Sequence, residues 1–110
     1  MTRSAEFAST ISSGVRAVQP HLVVHAHRDT TQNAGPRIGF VVSKAVGNSV
    51  QRHRAARRLR HAARVVIPEL QAADRIVVRA LPGLADVRFE TLEDEMAAGL
   101  RSARGRQAQR

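Results

Sequence analysis

The stretch Val46–Arg64, VGNSVQRHRAARRLRHAAR, carries six arginines, two histidines and no acidic residue. Its apolar positions are spaced for a helix. At about 100° per residue, Ala55, Leu59, Ala62, Ala63 and Val66 fall on one narrow face, with Arg54, Arg57, Arg58, His61 and Arg64 spread over the other side. Arg52 falls at the helix start on the apolar side and is expected to point off the end. Val46-Gly47-Asn48-Ser49 breaks whatever precedes, Asn48 suits the N-cap, and Gln51 three residues later completes a capping box. The helix is expected to run to about Val66, and Pro68 ends it.

A solvated helix normally mixes signs to gain i,i+4 pairs, but here Arg54 and Arg58, Arg57 and His61, and Arg60 and Arg64 are alike. Each such pair costs roughly 0.2–0.5 kcal/mol in the free protein. A phosphate backbone laid across that face reverses the sign. From Thr30 to Pro68 there is no Asp or Glu, while the 110-residue chain as a whole has a formal net charge of +9. A polyanionic partner is implied. Nucleic acid is favoured over an anionic membrane, which needs a broad face of large apolar side chains where this helix offers mostly alanine.

The flanking segments place that helix in a mixed domain. Ser4 to Ser13 reads as a short helix with Phe7, Ile11 and Val15 four apart, and Gly14 suits a left-handed cap. HLVVHAHR (21–28) reads as a strand with Leu22, Val24 and Ala26 on one face and His21, Val23, His25 and His27 on the other. GVRAVQ before it supplies a short edge strand. Asp29–Pro36 is a polar turn, and RIGFVVSK after it a second strand, antiparallel to the first as a hairpin. RIVVRAL (75–81) is a third clear strand and PGLAD a loop. Phe89, Leu92, Met96 and Leu100 mark a last helix, acidic early and basic late as its dipole favours. The order implies an α+β two-layer domain. Residues 1–104 are expected to form one RNA-binding domain and residues 105–110 a polar tail.

Catalytic constellations are wanting. With no cysteine there is neither a disulfide framework nor a thiolate metal site. The histidine face of the strand has no companion ligand set, so a ligand-facing or solvent-facing surface outweighs a zinc site, and no metal ligand is assigned. Glu93, Asp94 and Glu95 are sequential on a helix and are expected to fan outward as a solvated face. Ser43-Lys44 lacks the rest of a serine–lysine dyad, and no phosphate-loop or dinucleotide motif appears. The N-terminus lacks a signal-peptide run and no stretch approaches a membrane span, so the chain is expected to be cytoplasmic. Strands flank the basic helix where a helix-turn-helix needs a preceding helix. A sheet face bearing Val23 and His25, beside a helix bearing Phe7, offers a groove for unstacked single-stranded bases instead.

GFVVSKAVGNSVQRHRAARRLR, Gly39 to Arg60, closely resembles the signature G-x-x-V-S-K-x-V-G-N-x-V-x-R-N-R-x-x-R-R-x-R of the bacterial ribonuclease P protein subunit. The likeness extends more loosely over nearly the whole chain. It implies a two-layer α/β sandwich of order α-β-β-β-α-β-α with a left-handed βαβ crossover around the motif helix. It also implies a protein that binds a large catalytic RNA and helps it remove the 5′ leader of precursor tRNA. Catalysis and its Mg²⁺ would belong to the RNA, and the protein alone would be inactive. Carried over by motif, the RNA-binding residues are Ser43, Lys44, Asn48, Arg52, His53, Arg54, Arg57, Arg58 and Arg60, and Phe7, Ile11 and His25 line the leader cleft. The motif asparagine is His53 here and a common lysine is Ala56, while Ile11 and His25 stand where aromatics are frequent. The rival reading is a ribosomal or other structural RNA-binding protein of similar fold, which should not discriminate precursor from mature tRNA.

Overall fold

The computed structural model describes the backbone of residues 4–30 and 35–108, and the side chains of that range from residue 8 onward. Along it run α1 (Ser4–Ser13), β1 (Val15–Val18), β2 (Leu22–Arg28), β3 (Arg37–Val41), α2 (Ser49–Ala63), β4 (Asp74–Ala80) and α3 (Phe89–Ala108). Single 3-10 turns at Lys44–Val46, Ile67–Glu69 and Leu84–Asp86 join them. The expected α+β order is present, with GVRAVQ supplying β1.

The strands lie in the order β1-β2-β4-β3. β2 pairs antiparallel with β1 and with β4, whereas β3 runs parallel to β4. The expected β2–β3 hairpin does not form, because β4 sits between the two strands. The reason is in β4 itself. Ile76, Val77 and Val78 are all fully buried, so this strand needs both faces covered and a neighbour on each edge. A parallel β3–β4 pair then needs a crossover long enough to reverse direction twice, and α2 provides it.

Alternation along the strands separates two faces. Leu22, Val24 and Ala26 of β2 and Ile76, Val78 and Ala80 of β4 join Ala55, Leu59 and Ala62 of α2 and Leu92, Met96 and Leu100 of α3 in one buried cluster. Leu59 is the one large side chain that α2 gives to this cluster, and truncating it to alanine should cost about 2–5 kcal/mol. Against β2, α3 approaches closely because Gly99 has no Cβ, which would otherwise lie 2.8 Å from Val24 Cγ2. On the other face Val23, His25 and Val77 are buried, and α1 packs there against β2 and β4.

Local expectations fail at four places. Gly14 is not a left-handed cap. It is absent from the positive-φ residues, and its role is steric, since a Cβ would lie 2.4 Å from the carbonyl oxygens of Ala26 and Thr10. His21 leaves the face of His25 and His27: its ring Nδ1 and its backbone N–H each lie 2.7 Å from the Glu95 carboxylate on α3. Glu95 is accordingly buried rather than part of a solvated acidic face. Lastly, α2 closes at Ala63 through turns that keep Val66 buried.

Candidate nucleic-acid interface

The start of α2 forms as its sequence requires. Asn48 Oδ1 accepts from the Gln51 N–H and Gln51 Oε1 accepts from the Asn48 N–H, both at 2.9 Å. Just upstream, Ser43 Oγ accepts from the Ala45 N–H at 3.3 Å and caps the 3-10 turn that carries exposed Lys44. Ser43 and Asn48 thus shape the approach to the helix with their own side chains.

The arginines of α2 divide into three sets. His53, Arg54, Arg57 and Arg60 are exposed and, with Val50, line an open groove of about 470 Å³. Val50 is 76 % exposed, an apolar spot set among cations where a sugar or base can lie. Arg52 is half-buried. It lines a second groove of about 380 Å³ with Val42, Ser49, His53 and Ala56, so it turns along the helix start toward the chain leaving β3 rather than off the end. The small Ala56 leaves that groove open, and His53 borders both.

Arg58 belongs to neither groove. Its Nη1 donates to the carbonyls of Leu84 and Ala85 at 3.1 and 2.8 Å, and its Nη2 donates to the carbonyl of Val87. These three acceptors belong to the 3-10 turn before α3 and its exit. Arg58 therefore ties α2 to that turn, and its hydrogen bonds are spent inside the protein. Ion pairs among the described residues join Arg88 to Glu90, Arg101 to Glu69, Arg104 to Asp74 and His21 to Glu95, among others. None of them uses an arginine of α2, so that face meets no carboxylate among the described residues.

A second cationic surface lies on the reverse of the sheet. Ile11 and Gly14 at the end of α1, Val15 and Arg16 of β1, His25 of β2, Arg79 of β4 and Arg106 of α3 line a cleft of about 530 Å³. The register builds it: Arg16 sits directly opposite His25, and Arg79 opposite Val23, two residues along on the other neighbour. Arg106 donates to the carbonyl of Arg16 at 2.6 Å and fixes the end of α3 at the rim. Burial, then the charges of Arg79 and Arg16, holds His25 below the ordinary histidine range. Ile11 and His25 line the same cleft, whereas the side chain of Phe7 lies outside the described residues.

Arg16, Arg79 and Arg106 were not anticipated from sequence. Alternation in β4 puts Arg79 on the face of Val77, a signal that was readable. Arg106 gave none, because it belongs to a segment read as a tail. Among the described residues no three His, Asp or Glu side chains gather as metal ligands, and no helix is long and apolar enough to cross a membrane.

One helix with an uncompensated arginine face, and a cationic cleft on the opposite side of the sheet, define a nucleic-acid-binding α+β protein. The family model for ribonuclease P matches residues 1–104, and the chain belongs to that family. It is 53 % identical over 107 residues to the ribonuclease P protein component of Mycolicibacterium vanbaalenii, covering 96 % of this chain and 90 % of that one. To the ribonuclease P protein component of Mycobacterium avium it is 52 % identical over 104 residues, covering 92 % and 87 %. The fold is similar to that of the Staphylococcus aureus RNase P protein, with a TM-score of 0.81 at 23 % identity over 94 % of this chain and 93 % of that one. It also matches the Thermotoga maritima RNase P protein in complex with 1-(4-fluorophenyl)-2-thiourea, with a TM-score of 0.75 at 20 % identity over 89 % and 94 %.

Proposed function

We propose that the chain acts in the cytoplasm as the protein component of ribonuclease P, in 5′ maturation of tRNA. The exposed face of α2, with Lys44 and Arg52 at its start, binds the catalytic RNA. The cleft under α1 takes the single-stranded leader of precursor tRNA. Hydrolysis and its Mg²⁺ belong to the RNA, and the protein supplies binding and orientation. The observation that carries this reading is the pair of cationic surfaces on opposite sides of one sheet, which suits a protein engaging two RNA segments at once. Phosphate contacts on α2 position the protein, and the cleft receives an extended strand, where stacking and charge act together.

Reconstitution with a ribonuclease P RNA and a precursor tRNA tests it. The protein should cleave nothing by itself, raise cleavage by the RNA at low Mg²⁺, and bind precursor more tightly than mature tRNA. Equal affinity for the two tRNAs would favour a structural RNA-binding protein. Cleavage by RNA-free protein would overturn the assignment of catalysis to the RNA.

A further inference from the structure

The cleft under α1 holds two buried nitrogens that no described residue hydrogen-bonds. His25 Nε2 and Arg79 Nε are both shielded, and both lack a hydrogen-bond partner among the described residues. His25 is only 4 % exposed, yet it lines the cleft. Buried polar groups are normally satisfied, so two such nitrogens in one cationic cleft point to a ligand that completes them.

The surroundings define its charge. Arg16 from β1 and Arg79 from β4 flank His25, Arg106 from α3 closes the rim, and α1 contributes uncharged Ile11. On its own strand His27 follows on the same face, opposite Arg75, whose Nη1 is taken by the carbonyls of Gly35, Ala72 and Asp74. Among the described residues no carboxylate lines the cleft. An oxyanion suits every member of this set, and a phosphodiester is the form in which RNA presents one.

Neutral imidazole carries one N–H, whereas imidazolium carries two and a positive charge. Between two guanidiniums the charged form is opposed, but a phosphodiester between the same groups reverses that balance. We propose that the cleft is a proton-linked phosphodiester site, in which His25 takes a proton from solvent when single-stranded RNA seats between Arg16 and Arg79. The proposal rests on the cleft being the leader site, and no bond to phosphorus is made or broken. The free protein is biased in the required direction, since burial, Arg79 and Arg16 all hold His25 toward its neutral form. Affinity should therefore rise as pH falls from the bound-state pKa to the free-state pKa and be flat outside that window. Each unit between the two values contributes about tenfold.

The probe is a five-residue oligouridylate without terminal phosphates, which itself does not titrate near neutrality. With the full chain, imidazole NMR at pH 6.5 should show His25 moving toward imidazolium on RNA addition. Affinity should strengthen about tenfold between pH 8 and pH 5.5. That dependence should vanish in His25→Gln and in His25→Phe, which keeps a stacking ring, and persist in His53→Asn. If RNA perturbs the cleft but His25 stays neutral or affinity ignores pH, the proton link is wrong and the leader site stands. If RNA leaves the cleft resonances unmoved at every pH, both readings fall.

Discussion

Arg58 and Ala85 are joined across the α2–α3 connection, the guanidinium Nη1 lying 2.8 Å from the carbonyl oxygen of Ala85. With the contacts to Leu84 and Val87, one side chain satisfies three carbonyls of the turn that launches α3. Leu84 and Ala85 are buried there, so water cannot easily replace the lost donor. Arg58→Ala should therefore destabilise the protein by about 2–3 kcal/mol. A urea melt checks the value. Arg58→Lys should rescue little, because one ammonium cannot span the fork. A melt unchanged by Arg58→Ala would show that the turn stands without it.

Salt dependence reads the other arginines. If Arg52, Arg54, Arg57 and Arg60 each neutralise one phosphate, together they contribute about −2.8 to −3.6 to the slope of log affinity for the catalytic RNA against log salt. Arg54→Ala and Arg57→Ala should each flatten the slope by roughly 0.7–0.9, whereas Arg58→Ala should leave it unchanged. A slope that responds to Arg58 and ignores Arg54 would place the RNA on a different face.

That division of labour shows where sequence stops being informative. The basic helix, its capping box and its narrow stripe were legible because they depend on local spacing alone. Helical spacing alone groups Arg58 with the outward arginines, yet it precedes buried Leu59 by one step of about 100°, at the border of the stripe. Which way a border residue turns is decided by what packs beside it, here a turn 26 to 29 residues away in sequence. Strand order failed for the same reason. A polar turn after β2 is compatible with a hairpin, and only the two-sided burial of β4 decides that β4, not β3, lies beside β2. The cleft was half legible: alternation placed His25 on its face, but Arg16, Arg79 and Arg106 come from three elements brought together by register.

His25 also makes stability depend on pH. Its folded-state pKa lies below the unfolded value of about 6.5, so between those two values the unfolded chain binds more protons. Stability is fully present above about pH 6.5, is lost as pH falls toward the folded value, and stays at the reduced level below it. The comparison that isolates this residue is with His25→Gln, which leaves the rest of the chain unchanged. Chemical melts from pH 8 to pH 5 should show the parent losing more stability than the variant. Parallel curves would mean that the cleft imposes no penalty on the imidazolium.

The face of α2 should respond to small anions before any RNA arrives. Arg54, Arg57 and Arg60 succeed one another at i,i+3 on an exposed surface with no carboxylate beside it, and each repels the next. The alanine-rich stripe around Leu59 gives the helix limited burial to offset that repulsion. An oxyanion held between two guanidiniums relieves it, and binding to the native state alone adds stability by mass action, about 1.4 kcal/mol at ten times the dissociation constant. For a domain near 100 residues that corresponds to roughly 6–11 °C in Tm. Millimolar sulfate should thus raise Tm well beyond sodium chloride at equal ionic strength, since screening alone makes the two salts equivalent. Surface exclusion by sulfate is small at that concentration. The cleft offers guanidiniums as well, so the double variant Arg54→Ala/Arg57→Ala separates the two surfaces and should lose most of the sulfate-specific shift. Coincident melts of the parent protein in the two salts would show that the arginine face holds no anion on its own.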